Sequence, residues 1–260
     1  MKLFTPTIII ILALLAVASP SQAADFLGNL RGLAGTNASA GSLAALTPDD
    51  MTKGLKEALA KGAKSAITNL GRPDGFLKNM DVKIPLPESL KKIETAARVA
   101  GQGQMVDDFT VSMNRAAEQA VPAGLNILAD SITKMSIADA QSILKGPPDA
   151  ATQYFKRTSE AALAEKFHPI IAKSTDAVGV TQKYKALTGS FGDLKGFSGL
   201  FGSKATKSAD ALDVDKYVTS KALDGLFKMV AAEEKSIRAN PAARTTDLLK
   251  KVFSSVTPAK

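Results

Sequence analysis

Apolar residues recur along most of this chain at the three-to-four-residue spacing of an amphipathic α-helix. Between residues 213 and 240 this spacing gives one apolar stripe, formed by Tyr217, Leu223, Leu226, Phe227, Val230 and Ile237. A second stripe precedes Pro122 and is formed by Val106, Phe109, Met113, Ala116, Ala117, Ala120 and Val121. Such stripes bury one face of each helix against a common core. The pattern predicts an all-α single domain over residues 47–260, an irregular bundle of about eight or nine helices.

Local capping signals mark where some of the predicted helices begin and end. Thr47 is followed by Pro48 and two aspartates, and this combination is typical of a helix N-terminus. Gly71 is expected to end this helix, because glycine favours the position after a helix C-terminus. Ser136, with Asp139 three residues later, resembles a capping box and predicts another helix start.

Proline positions predict interruptions in two of the helices. Pro122 is expected to kink or interrupt its helix, because an interior proline removes one backbone hydrogen bond. Pro169 is expected to separate a helix over residues 149–167 from a second segment that ends at residue 178. Further along the chain, a short helix is expected over residues 180–190, and Asp213 is expected to cap the last long helix.

Two stretches lack a helical period. In residues 71–87, the apolar Val82, Ile84 and Leu86 alternate with other residues, which is the period of a β-strand. Prolines follow Ile84 and Leu86 directly, so the prediction is an extended segment or a short edge strand. Residues 192–212 are rich in Gly, Ser and Lys, and we interpret them as a mobile loop.

The beginning of the chain has the pattern of a targeting signal. The apolar run from Ile8 to Ala18 is too short for a membrane span, which needs about 20 apolar residues. Small residues follow it, as in a secretory signal peptide. We therefore interpret residues 1–23 as a cleavable signal peptide and residues 24–46 as a flexible leader. Since no Cys follows the cleavage site, the expected product is a soluble periplasmic protein without a lipid anchor or a remaining transmembrane segment.

The composition narrows the classes of partner. The chain has 33 basic and 25 acidic residues, a net charge of +8, and these charges are interspersed rather than clustered. The excess of positive charge fits a mildly basic surface or attraction to anionic surfaces of the cell envelope. Nucleic-acid binding is not expected, because there is no Trp and aromatic residues make up only 5% of the chain.

The residue types that are absent exclude several kinds of chemistry. There is no Cys and a single His, His168, which excludes Cys–His catalysis, thiolate zinc sites and the paired Glu-x-x-His motifs of di-iron bundles. His168 precedes Pro169 at an expected helix junction, where a capping or packing role is the usual one. No metal and no cofactor are therefore expected, and the sequence favours a protein that is not an enzyme.

Three polar sets on the predicted helices are the candidate sites. Their candidate ligand-binding residues are Asn114, Arg115 and Glu118 in the first set, Tyr154 and Arg157 in the second, and Arg238, Arg244 and Asp247 in the third. Each set has a structural alternative, namely a buried network that fixes helix crossings and caps helix ends. Glu233 and Glu234 are interpreted differently, as part of a solvated face beside Lys235, because adjacent helical residues point about 100° apart.

Several blocks of the chain carry a family resemblance. They are GRPDGF at 71–76, VKIPLP at 82–87, NRAAE at 114–118, AATQYF at 150–155, YVTSKALDGLF at 217–227 and NPAARTTD at 240–247. In this order they resemble domain-of-unknown-function family 4197, a family of exported bacterial proteins, from about residue 46 to residue 253. Some members are lipoproteins, whereas this chain lacks the lipobox Cys, which implies a periplasmic form. The resemblance implies no catalytic residues.

Three functional hypotheses follow. The favoured one is a non-enzymatic binding or interaction module for an acidic or amphipathic ligand, which the arginines of the polar sets would bind if they converge. The second is an envelope structural or stress protein that meets anionic membrane surfaces through Lys250, Lys251 and Lys260. The third is a carboxylate-based enzyme without metal or His, whose candidate residues are Glu118, Tyr154 and Asp247. Convergence of the polar sets on one concave site would favour binding or catalysis, and dispersal would favour a structural role.

Overall fold

Seven α-helices form the described part of the molecule, which confirms the predicted all-α class. The computed structural model describes residues 47–177, 182–183, 186, 189, 213–239 and 250–252. The helices are α1 (Pro48–Gly71), α2 (Lys91–Val99), α3 (Gly103–Ala120), α4 (Leu125–Lys134), α5 (Ile137–Lys145), α6 (Ala150–Ala177) and α7 (Val214–Ala239). The predicted signal peptide, leader and 192–212 loop lie outside the described residues, as does most of the predicted 180–190 helix.

The predicted capping signals are present at the starts of three helices. The backbone N–H of Asp50 donates to Thr47 Oγ1 over 3.1 Å, and the N–H of Thr47 donates to Asp50 Oδ2 over 3.2 Å. Ser136 and Asp139 form the same reciprocal pair at the start of α5. At α7, Asp213 Oδ1 accepts from the N–H of Lys216 over 3.0 Å. These caps are formed within four residues, so the sequence alone is enough to predict them.

Pro122 interrupts its helix, as predicted, by a single turn of different geometry. Residues Val121–Gly124 form a 3-10 helix that joins the end of α3 to the start of α4. Gly124 lies directly against α6, where an added Cβ would come within 2.9 Å of Leu163 and 3.0 Å of Phe167. The short turn thus allows close approach of the two chain segments because no side chain separates them.

The prediction that Pro169 divides its helix is wrong. α6 runs without a break from Ala150 to Ala177 with Pro169 inside it. Pro169 and Glu165, whose carbonyl loses its helical donor, both lie on the exposed face, while Phe167 and Ile171 are fully buried on the other face. The freed carbonyl is thus on the side of the helix that water can reach, and the packing of the buried face holds the helix together across the proline.

The long helices α6 and α7 are antiparallel neighbours at the centre of the fold. Residues at the start of α6 contact Glu234 near the end of α7, and Thr175 near the end of α6 donates to Asp215 at the start of α7. α1 packs along α7, and α3 packs along α6. This pair of helices defines the surface that the candidate site uses.

A segment of 16 residues, 72–87, connects α1 to the 3-10 turn Glu88–Leu90 and forms a strap across the bundle, with turns over most of residues 73–82 and irregular backbone at residues 83–87. Its alternating residues Val82, Ile84 and Leu86 are buried, as the alternating pattern predicts, and the described residues contain no β-strand, so the edge-strand alternative is wrong. The strap passes close to α7, since a Cβ at Gly225 would lie 2.6 Å from the ring of Phe76. The strap therefore contributes buried side chains to the core, while its other residues face solvent.

Candidate functional site

The first polar set, on α3, holds the strap in place through its backbone. Asn114 is fully buried; its Oδ1 accepts from the N–H of Ile84 and its Nδ2 donates to the carbonyl of Ile84, both over 2.9 Å. Glu118 Oε1 accepts from the N–H groups of Phe76 and Leu77 over 3.1 and 3.2 Å. Two side chains of α3 thus take the place of a neighbouring β-strand for the strap.

Arg115 links the Glu118 carboxylate to Asp74 at the start of the strap. Its Nη1 donates to Glu118 Oε2 over 2.7 Å, and its Nη2 donates to Asp74 Oδ1 over 2.6 Å. Hydrogen bonds from Lys78 and Arg115 lower the pKa of Asp74, and the bond to Glu118 raises the pKa of Arg115. Both oxygens of Glu118 are therefore occupied by partners within the fold, which leaves this carboxylate poorly suited to acid–base chemistry.

The second polar set lies on α6 and lines a cleft. The hydroxyl of Tyr154 donates to the carbonyl of Ser131 over 2.9 Å, and burial, followed by the nearby Asp139, raises its pKa. Arg157 stacks on the ring of Tyr154 at 5.5 Å and lies 4.0 Å from Asp139. The cleft, of about 410 Å³, also contains Lys134 and Asp130, so it carries equal numbers of positive and negative groups.

In the third set, Arg238 belongs to a buried network, which is the structural alternative given for this set, but the central residue of the network is Glu234, which the sequence interpretation had placed on a solvated face. The guanidinium donates to Glu234 Oε1 over 2.9 Å and to the carbonyl of Ile143 over 2.8 Å. Glu234 itself is only 5% exposed and accepts from the N–H groups of Ala151 and Thr152, both over 2.9 Å. The interpretation of Glu234 as a solvated residue is wrong, because this carboxylate caps the N-terminus of α6 from a different helix.

The described members of the three sets do not converge on one site. Each set has its own partners: the strap for the first, α4 and α5 for the second, and the start of α6 for the third. Arg244 and Asp247 lie outside the described residues, so their predicted roles stay predictions. The proposed acid–base pairing of Glu118 with Asp247 likewise remains untested.

A more favourable candidate site for an acidic ligand is the open groove between α6 and α7, which we call the α6–α7 groove. It has a volume of about 670 Å³, and Arg157 is the one residue of the predicted set that lines it. On both helices, the residues that line the groove recur every three or four positions, as expected for one face of a helix. The lining residues are Lys156, Arg157, Glu160, Ala161, Ala164 and His168 on α6, and Lys216, Thr219, Ser220 and Leu223 on α7.

The charges of the α6–α7 groove are mainly positive. Its lining contains three cations, Lys156, Arg157 and Lys216, and one carboxylate, Glu160. Lys156 lies over the ring of Phe227 at 5.5 Å, and no carboxylate of the described residues forms an ion pair with it. The groove therefore offers at least one cation that is held in place by an aromatic ring rather than by a counter-ion.

The other two cations of the groove have exposed partners. Lys216 lies 3.1 Å from Asp213, and both side chains are largely solvent-accessible. Arg157, whose side chain is 65% exposed, is at the outer limit of an ion pair with Asp139. Exposed pairs of this kind contribute little to stability, so a ligand anion can replace the protein carboxylate at small cost.

One signal for this groove is present in the sequence of α6, and none is present for its α7 wall. Lys156, Glu160, Ala164 and His168 recur every four positions, so each lies on the same strip of α6 as the next one once the helix is continuous. The predicted break at Pro169 concealed this, because His168 was then expected at a helix junction. Lys216 had no local signal, since only the antiparallel packing of α7 brings it opposite α6.

Among the described residues, no group of three or more His, Cys, Asp or Glu side chains has the arrangement of a metal site. None of the helices in that part of the chain combines the length and apolar character that a membrane span requires. Lys250 and Lys251 are exposed, while Lys260 lies outside the described residues.

Comparison with known proteins places the chain in a family. No curated protein and no solved structure matches it significantly. A family model does match, over residues 45–254, and it covers every helix described above. Because this match spans most of the sequence, the chain belongs to the family described as "Protein of unknown function (DUF4197)".

Proposed function

We propose that this protein is an exported, periplasmic binding module without enzymatic activity, and that it binds an acidic, amphipathic ligand in the α6–α7 groove. The observation that carries the proposal is the combination of three cations with a partly apolar floor in one groove of about 670 Å³. Ligand sites commonly have volumes of about 300–1,000 Å³ and a few polar groups around an apolar lining.

The apolar part of the groove comes from small and buried side chains. Ala161 and Ala164 keep the α6 wall low, and the buried Leu223 closes the floor from α7. Small residues on one helix leave room for a ligand chain, and Leu223 supplies an apolar surface for it. A ligand with an acid group and an aliphatic part would place the acid group beside the cations at the rim and the aliphatic part over the apolar floor.

The polar sets outside the groove support a binding role over catalysis. Glu118 and Glu234 are buried, and each is saturated with backbone and arginine donors. The hydroxyl of Tyr154 donates a hydrogen bond to a backbone carbonyl. The carboxylates and the phenol that an enzyme without His would need are thus occupied in holding the fold.

Calorimetric titration with decanoate, below its micelle-forming concentration, tests the binding proposal. We expect saturable binding that weakens by about tenfold in a Lys156→Gln/Lys216→Gln variant. The variant removes one cation at each end of the groove, so the carboxylate loses a charge-assisted contact at whichever end it binds. The matched control is Lys166→Gln/Lys221→Gln, which removes two exposed lysines of the same helices outside the groove. Equal binding by both variants would rule out the groove as the site.

Export is supported by the N-terminal sequence pattern alone. We expect the chain isolated from the bacterial periplasm to begin near Ala24, as a signal peptide of residues 1–23 requires. N-terminal sequencing of the periplasmic and cytoplasmic fractions measures this. Full-length chain confined to the cytoplasmic fraction would contradict export.

A further inference from the structure

We infer that a ligand binds in the α6–α7 groove in one direction only, with its acid group beside Lys156 and its aliphatic chain extending along α6 towards His168. The ligand class is a single aliphatic chain with one terminal acid group. This inference rests on the proposed function and specifies which cation of the groove selects the acid group. It follows from the difference between the two ends of the groove.

The lysines of the groove lie at two separate ends. Lys156 lies over the ring of Phe227, and Lys216 is eleven residues before Phe227 on α7, about 16 Å along the helix at 1.5 Å per residue. His168 lies about 18 Å beyond Lys156 on α6 by the same rise. Hydrogen bonds from Lys216 are the main cause of the lowered pKa of Asp213, and the nearby His168 contributes, so these three residues share one end. We call the two ends the Lys156 end and the Lys216 end.

The amine of Lys156 is available to a ligand anion. Its side chain is exposed, its Nζ lies 5.5 Å from the centre of the Phe227 ring, and no carboxylate within the described ranges forms an ion pair with it. The aromatic face stabilises the positive charge without neutralising it. An acid group at the Lys156 end therefore gains a charge-assisted contact without displacing a protein carboxylate.

Lys216, in contrast, already has a carboxylate beside it. Asp213 Oδ2 lies 3.1 Å from Lys216 Nζ, and Asp213 Oδ1 accepts from the backbone N–H of Lys216 over 3.0 Å. Because the second bond caps α7, Asp213 stays near Lys216 even when the exposed ion pair is exchanged. An acid group at the Lys216 end would share its lysine with another carboxylate, so the Lys156 end is the preferred one.

Two neighbours of Lys156 refine this position. Arg157 lines the groove, but its guanidinium stacks on Tyr154 at 5.5 Å, and adjacent helical residues point about 100° apart. Lys156 is therefore the main contact of the acid group. Glu160 is the lining carboxylate, about 6 Å further along the helix. The direct contact with Lys156 outweighs the repulsion from Glu160, because the Coulomb energy decreases with distance.

The surface between the two ends suits an aliphatic chain. Ala161, Ala164 and the buried Leu223 line it. Both walls are inner turns of long helices, whose backbone N–H and C=O groups are bonded within the helix. These walls offer no backbone partners to an extended peptide, whereas an aliphatic chain requires none.

Calorimetric titration of the mature chain with decanoate, below its micelle-forming concentration, tests the direction. We expect Lys156→Gln to weaken binding by about fivefold to tenfold and Lys216→Gln by less than about twofold, since only the first removes the main contact of the acid group. Glu160→Gln is expected to strengthen binding by about threefold, because a like charge one turn away is removed. The matched control is Glu165→Gln, which removes an exposed carboxylate of α6 outside the groove and is expected to have no effect.

The single histidine of the chain provides a second readout. Because His168 is the only His, its imidazole proton signals are identified directly by NMR. The probe is stearate, whose extended chain is about 20 Å long, with a nitroxide either near its methyl end or next to its acid group. We expect the methyl-end label to broaden the His168 signals strongly and the other label to broaden them much less, since the methyl end lies at the Lys216 end.

Decanedioate tests whether the ligand has one acid group or two. Its second carboxylate would lie over the apolar surface formed by Ala164 and Leu223. We expect it to bind at least about threefold more weakly than decanoate, because a charge is placed on an apolar surface. Tighter binding of decanedioate would overturn the single-acid class.

The outcomes separate this inference from the function on which it rests. If Lys216→Gln weakens decanoate binding as much as Lys156→Gln or more, the direction is overturned and the proposed function stays intact. Stronger broadening of His168 by the label next to the acid group would likewise overturn the direction alone. If neither decanoate nor stearate binds to the wild-type chain, both the inference and the proposed function are overturned.

Discussion

At the scale of single residues, the buried polar side chains of this protein bind backbone groups of distant segments. Asn114 and Glu118 accept hydrogen bonds from backbone N–H groups of the strap, and Glu234 accepts hydrogen bonds from the first N–H groups of α6. A polar residue on an apolar stripe is the sequence signal for such a role. Glu234 has this signal, because it lies between Val230 and Ile237 on the buried face of α7. Its partners are about 80 positions away, so local reasoning did not identify them.

Replacement of Glu234 by Ala is expected to destabilise the protein by about 3 kcal/mol, because it leaves buried N–H groups and the Arg238 guanidinium without their acceptor. Urea unfolding followed by circular dichroism measures the loss. Glu233→Ala is the control: Glu233 is less buried and accepts from Ser65 over 2.6 Å, so about 1 kcal/mol or less is expected. Equal losses in the two variants would contradict the capping role.

At the scale of elements, local signals predicted helix starts well and helix ends less well. Thr47, Ser136 and Asp213 act as caps because their partners lie within three residues. Pro169 did not end its helix, because Phe167 and Ile171 on the opposite face are buried by tertiary packing. The strap was predicted as extended, and its position between α3 and α7 came only from the fold.

The contact between the strap and α7 depends on Gly225. Although Ala normally favours a helix by about 1 kcal/mol over Gly, we expect Gly225→Ala to destabilise the protein by about 1–2 kcal/mol, because its Cβ would lie 2.6 Å from the Phe76 ring. Thermal and urea unfolding measure the change. Gly62→Ala is the control, since its Cβ would meet the nearest atom at 3.3 Å. A stabilised Gly225→Ala variant would show that the strap moves freely.

At the scale of the whole molecule, several carboxyl groups couple stability to pH. Hydrogen bonds within the caps and ion pairs lower the pKa of Asp50, Asp74, Asp139 and Asp213 below the usual 3.8. The unfolded chain, with ordinary pKa values, therefore binds more protons than the folded chain in this range. The stabilisation from these groups is complete above pH 3.8 and is lost as the pH falls through their lower folded values.

We accordingly expect the free energy of unfolding to decrease as the pH is lowered from 5 to 2, in urea titrations at fixed ionic strength. In a Ser136→Ala variant this decrease should be smaller, because the hydrogen bonds from Ser136 are the main cause of the lowered pKa of Asp139. Ser142→Ala, an exposed position of the same helix, should retain the wild-type slope. Identical slopes in all three proteins would exclude the cap as a source of the pH dependence.

By itself, the sequence determined the helical class, the caps and the non-helical strap. It did so because helix periodicity, capping hydroxyls and proline act over a few neighbouring residues. It also identified Asn114 and Glu118 as one polar set, since they share a helix face. Only the tertiary structure decided which polar side chains are hydrogen-bonded within the fold and which cations line a groove. Lys156 and Lys216 line the same groove because α6 and α7 pack antiparallel, and that packing depends on contacts between residues far apart in the chain.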